Sequence, residues 1–185
     1  MKRMLLMLLL GLLFVAFGAT AARAGLSNEE KKLQSEASAL NKEASQPQGE
    51  KVVVQKLKQE FNVTDAQITS LRDQKMGYGE MAIVFSLSKQ LGGTNGITQQ
   101  NIDAIMAKRL GPPVMGWGQI AKSYNLKLGA AVSQIKKVKT AAGKEIKHQE
   151  RTEHKTMRED RRERPGKPDK MERSGAGQHG GGHAR

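Results

Sequence analysis

The side chains most able to do chemistry are few and unevenly placed. There is no cysteine, and the four histidines are His148, His154, His179 and His183. Ser–His and Cys–His nucleophile systems need both partners within hydrogen-bond reach. All four imidazoles lie C-terminal to the aromatic part of the chain, so such systems are not expected there. The carboxylates of that part are Glu60, Asp65, Asp73, Glu80 and Asp103. Asp73 and Glu80 could approach across the first glycine turn and mimic a two-carboxylate glycosidase pair. A related segment further on places Ala107 and Gln119 there instead. Glu80 therefore reads better as an acid stabilising a helix N-terminus. His179 and His183 flank three glycines, a weak nickel or copper pattern without fixed four-ligand geometry. The expectation is no catalytic residue, no metal and no cofactor.

Cations supply the remaining chemistry. Lys136, Lys137, Lys139, Lys144 and Lys147 form a basic segment. Arg151, Arg158, Arg161, Arg162 and Arg164 follow, diluted by acids. Such a segment attracts polyanions through counterion release. The matching partners are lipopolysaccharide, teichoic acid, extracellular nucleic acid or an anionic membrane face. No aromatic is interleaved with these cations, which argues against base stacking. Lys136, Lys137, Lys139, Lys144, Lys147, Arg161 and Arg162 are the polyanion-binding candidates.

Several segments must position these groups. Lys2 and Arg3 precede an apolar run from Met4 to Phe17, followed by Ala22-Arg23-Ala24. That is the layout of a secretory signal peptide at 1–24, cleaved after Ala24. Its 14 apolar residues rise only about 21 Å, short of the roughly 30 Å of bilayer hydrocarbon. The expected product is exported, periplasmic or extracellular, with no integral membrane segment after cleavage. The formal charge of the whole chain is +13. Residues 25–50 read as a polar leader with net charge −2, permitting a short helix at 27–44 through Leu26, Leu33 and Leu40. Residues 51–140 carry net charge +8 and contain Phe61, Tyr78, Phe85, Trp117 and Tyr124, which places the globule there. Residues 141–185 carry net charge +4 and contain no Trp, Tyr, Phe or Leu. They form a charged, Gly/His-rich low-complexity tail, disordered or helical, that cannot build a core.

The globule contains an internal repeat, with units at 63–87 and 97–126. Val63-Thr64-Asp65-Ala66-Gln67-Ile68 matches Ile97-Thr98-Gln99-Gln100-Asn101-Ile102, and Lys75 aligns with Arg109. Five residues, Leu110 to Val114, are then inserted. Met76-Gly77-Tyr78-Gly79-Glu80-Met81-Ala82 next matches Met115-Gly116-Trp117-Gly118-Gln119-Ile120-Ala121. Each unit reads as helix, glycine turn, helix. Thr64 and Thr98 are N-cap candidates. Gly77 and Gly116 are expected as C-terminal turn residues with positive φ. Gly79 and Gly118 open the second helices, and Tyr78 and Trp117 plug the turns. With a lead helix near 51–61 and a last helix from Gly129, the prediction is all-α. It is a small bundle of about six helices built on two helix–glycine turn–helix repeats.

Gln119-Ile120-Ala121-Lys122-Ser123-Tyr124-Asn125-Leu126 resembles the first half of a DNA-binding helix-turn-helix. Gly129 to Val138 would then stand as the recognition helix. The mature chain as a whole resembles small exported bacterial proteins of unknown function, with Gly-aromatic-Gly-Glu-Ile-Ala units and a basic C-terminus. That resemblance implies no activity. The functional expectation is an exported, non-enzymatic structural or interaction protein whose basic segment contacts anionic envelope or extracellular polymers. The alternatives are a nucleic-acid binder using the second repeat and, last, a cell-wall-acting enzyme.

Overall fold

A computed structural model describes residues 26–163, the last two by backbone only. Residues 1–24, expected as a signal peptide, Arg164 and the glycine-rich end with His179 and His183 lie outside the described residues. The described chain is all-helical: α1 (Asn28–Ala44), α2 (Gly49–Phe61), α3 (Asp65–Asp73), α4 (Tyr78–Gly92), α5 (Gln99–Leu110), α6 (Trp117–Ser123) and α7 (Leu128–Glu163). A single 3-10 turn, Gly93–Asn95, follows α4.

Local sequence explains most boundaries. Ser27 accepts the Glu30 N–H at 3.1 Å and starts α1, with Glu29 and Glu30 against its positive end. Thr64 and Gln67 form a full capping box on α3, with N···O distances of 3.0 and 3.2 Å. Thr98 caps α5 by accepting from the Asn101 N–H at 3.2 Å. The helix ends use left-handed residues: Asn62 after α2, Lys75 after α3 and Asn125 after α6.

All seven helices contribute to one core. α4 is its axis: Met81 to Ser88 are buried without interruption, the pattern of a helix surrounded on all sides. It touches α1, α2, α5 and α7. α1 and α7 run in the same direction, since Glu36 pairs with Lys139 and Glu43 lies against Gly143. α2 runs against α7, with Glu60 on Lys137 and Lys56 on Glu145. α4 also runs against α7, since Ser86 bonds Gln134 and Gln90 accepts from the Lys127 N–H. The Phe61 and Phe85 rings, 5.9 Å between centroids, join α2 to α4.

The segment expected as a polar leader is part of this core. Leu33, Ala37 and Leu40 of α1 are fully or almost fully buried, and α7 and α4 are its main neighbours. Their i, i+4, i+7 spacing gives one narrow stripe, sufficient because the facing surfaces are ready-made. α1 is the helix beyond the six expected. At the other end, α7 passes through position 140 without a break, and Ala142 and Ile146 complete the core. The globule therefore begins before 51 and ends after 140.

The repeat is visible as α3–α4 and α5–α6. α3 has 9 residues and α5 has 12; the following connections are 74–77 and 111–116. The five inserted residues thus divide into three of helix and two of loop. Leu110 and Val114, at the two ends of the insertion, are among the few exposed large apolar residues.

Candidate anion-binding face of the last helix

The two glycine turns prepare the bundle on which α7 lies. Tyr78 and Trp117 are the first residues of α4 and α6, buried to 8% and 3% exposure. An arginine from the preceding helix covers each ring: Arg72 lies 4.8 Å from the Tyr78 centroid and Arg109 4.7 Å from that of Trp117. The same guanidinium groups donate to Met76 O at 2.8 Å and Met115 O at 3.3 Å. The role of Arg109 is therefore that of Arg72, although the sequence alignment sets Arg109 against Lys75. The extra helical turn in α5 causes the shift.

Gly77 and Gly116 do not have the positive φ expected of them. Their φ values are −73° and −68°, and they are N-caps of α4 and α6. The left-handed turn residue in the first unit is Lys75. Each glycine N–H is taken by the side chain three residues on, Gly77 by Glu80 at 3.2 Å and Gly116 by Gln119 at 3.0 Å. Glu80 also pairs with Arg109 at 3.7 Å, so its partners are a helix N-terminus and a cation. Gly79 and Gly118 face α1. A Cβ on Gly79 would collide with the Ala37 carbonyl, and one on Gly118 would stand 2.6 Å from Glu30 Oε2. Tyr78 donates its hydroxyl proton to Glu50. Burial first, and then that carboxylate, push its pKa up to about 12.

On this platform α7 buries Leu128, Ala131, Val132, Ile135, Val138, Ala142 and Ile146. At 3.6 residues per turn these occupy an arc of about 120°. The cations divide accordingly. Lys139 lies within that arc and pairs with Glu36 at 2.6 Å; Lys137, exposed on the opposite side of the helix, reaches across to Glu60 at 2.7 Å. These two candidates serve the bundle. Lys136, Lys144, Lys147 and Arg161 are exposed on the opposite side of the helix. Arg151, Lys155 and Arg158 join them there, all seven within an arc of about 120°. The side chain of Arg162 is outside what is described.

Charge sorting around α7 creates this face. Glu150, Glu153 and Asp160 fall on the arc that continues the buried stripe, and Glu145 is held by Lys56. Glu150 and Glu159 border the basic arc on its two sides, and Glu159 pairs with Lys155 at 4.0 Å. Arg151 and Arg158, read linearly, look diluted by acids; placed around the helix, they are not. From Glu150 to Arg161 every residue is exposed; Thr152 and Glu153 still line a hollow against α2, and from His154 onward α7 extends beyond the bundle for about 12 Å.

The helix-turn-helix-like segment does form two helices, α6 and α7, joined by residues 124–127. Of the short side chains that would read bases, Ala130 and Ser133 are exposed, Ala131 is buried in the core and Gln134 is bonded to Ser86. The buried side of residues 129–138 packs on the bundle. No described helix is long and apolar enough to cross a membrane. Among the described residues no group of three or more His, Asp or Glu side chains is placed to hold a metal ion. Comparison with protein-family models, curated proteins and solved structures yields no match.

Proposed function

We propose that this is an exported, non-enzymatic interaction protein whose helical bundle displays the basic face of α7 to anionic polymers of the envelope or the extracellular space. The observation that carries the reading is the sorting of charge around one continuous helix. The acids of the bundle take Lys139 and, by a long exposed reach, Lys137, while Lys144, Lys147 and Arg151 face away from every other helix. A face of this kind binds by releasing counterions and keeps a strong salt dependence.

The test is a binding series with the full mature chain and a soluble anionic polymer. Binding that weakens by an order of magnitude or more between about 50 and 200 mM salt is expected. Lys147→Gln with Arg151→Gln should remove most of it and leave the melting temperature unchanged. Sequence-selective binding to duplex DNA that survives these two substitutions would favour the helix-turn-helix reading instead. Recovery of the protein from the exported fraction with Gly25 as its first residue tests the localisation.

A further inference from the structure

The spacing of the cations along α7 narrows the partner, given the proposed function on which this rests. Lys144, Lys147, Arg151, Lys155, Arg158 and Arg161 follow one another at intervals of three or four residues. On a helix rising 1.5 Å per residue they form a row staggered across about 120° of the helix surface, with one charge about every 5 Å along the axis. We propose that this row binds an extended acidic polysaccharide carrying one carboxylate per sugar ring, laid parallel to the helix axis.

Three features favour that polymer over other polyanions. First, a chain of six-membered sugar rings joined through opposite corners repeats once per ring over a distance similar to the row's spacing. Such a chain is extended and carries its carboxylates on both edges, so it can follow a staggered row along the helix axis without bending. Duplex DNA is much denser, with one charge per roughly 1.7 Å of axis, about three for every cation of the row. Second, α7 holds no Phe, Tyr or Trp. Single-stranded nucleic acids gain much of their binding from stacking on such rings. Third, the row has no apolar member. The one exposed large apolar residue of the extension, Met157, lies on the arc that continues the buried stripe. Helices that settle into bilayers need an apolar face to insert. The acids at Glu150 and Glu153, beside and behind the row, repel an anionic chain from the rest of the helix surface.

The experiment titrates the full mature chain with polygalacturonate, with the same polymer partly methyl-esterified, with oligo-dT of equal charge, and with vesicles rich in phosphatidylglycerol. Two charge-neutral exchanges, Arg151→Thr with Thr152→Arg and Lys155→Thr with Thr156→Lys, move one cation each off the row. Both lie among the exposed residues of α7, and circular dichroism checks that helix content is kept. Polygalacturonate is expected to bind at least tenfold more tightly than oligo-dT or the vesicles. Esterification of half the carboxylates should weaken it by tenfold or more, and each exchange by roughly three- to tenfold. Equal or tighter binding of oligo-dT or vesicles would overturn the polysaccharide and leave the broader reading standing. Exchanges without effect would overturn the row. Failure of all four ligands to bind would overturn both.

Discussion

Asn41 and Glu30 play one role at two places on α1. Asn41 Oδ1 accepts the Gly79 N–H at 2.8 Å, and Glu30 Oε1 accepts the Gly118 N–H at 3.2 Å. Gly79 and Gly118 are equivalent positions of the repeat, so one helix receives both units through the same bond. Eleven residues, about three helical turns, separate the two acceptors and keep them on one face. The shared core thus has an explicit polar register.

The two glycines differ in what opposes them, and their alanine variants should differ too. Gly79→Ala drives a methyl into the α1 backbone at Ala37, whereas Gly118→Ala meets the end of the Glu30 side chain. The expected costs are about 3 kcal/mol or more for Gly79→Ala and about 1 kcal/mol for Gly118→Ala. Thermal melts of the two variants check the order; equal losses would show that α1 moves freely.

Trp117 fills its turn at 3% exposure beneath Arg109. Trp117→Ala should cost roughly 3–5 kcal/mol. An unchanged melting temperature would reject its packing role.

How much of this was legible in the residues varies with the range of the interaction. The caps at Thr64 and Thr98, the repeat and the all-α class rest on contacts within a few positions, and each was readable. The role of α1 was not, because its stripe of Leu33, Ala37 and Leu40 is narrow and its partners Gly79 and Gly118 lie far along the chain. The turn chemistry misled for a local reason: Lys75 takes the left-handed conformation, leaving Gly77 free to serve as a cap. Arg151, Lys155 and Arg158 were hidden by reading charge along the line instead of around the helix. The polar segments looked external because composition carries no information on which face a residue takes.

Alkaline pH should expose the Tyr78–Glu50 bond. The folded protein holds the Tyr78 proton up to about 12, while the unfolded chain releases it near 10. Between those values the unfolded state binds fewer protons, so stability falls as pH rises. The contribution is complete below pH 10 and lost by about pH 12, and is worth about 3 kcal/mol. Denaturant midpoints of the native protein and Tyr78→Phe should converge over that window; a constant gap would sink the assignment.

Ser88 is completely buried in α4, and its hydroxyl oxygen has no partner among the described residues. Ser88→Ala removes the desolvation cost without opening a large cavity. The melting temperature should stay level or rise, by up to about 1 kcal/mol of added stability. A clear loss would reveal a hydrogen bond at that site.

Lys75 is a non-glycine residue at φ 64°. Lys75→Gly should relieve this strain and stabilise the turn by about 0.5–1 kcal/mol. A destabilised variant would mean that the unfolded chain's gain in freedom exceeds the relief.

The unbroken course of α7 ties recognition to folding. A charged helix of a dozen residues is marginal by itself in water because its first turn is costly to form. Here the first turns are provided by the buried half, from Leu128 to Ile146, and the exposed half continues them. The bundle acts as a template that keeps the cations in phase. Whatever loosens the core also scrambles the row, and a polymer seated on the row must in turn hold the core closed, so occupancy is readable as a rise in melting temperature.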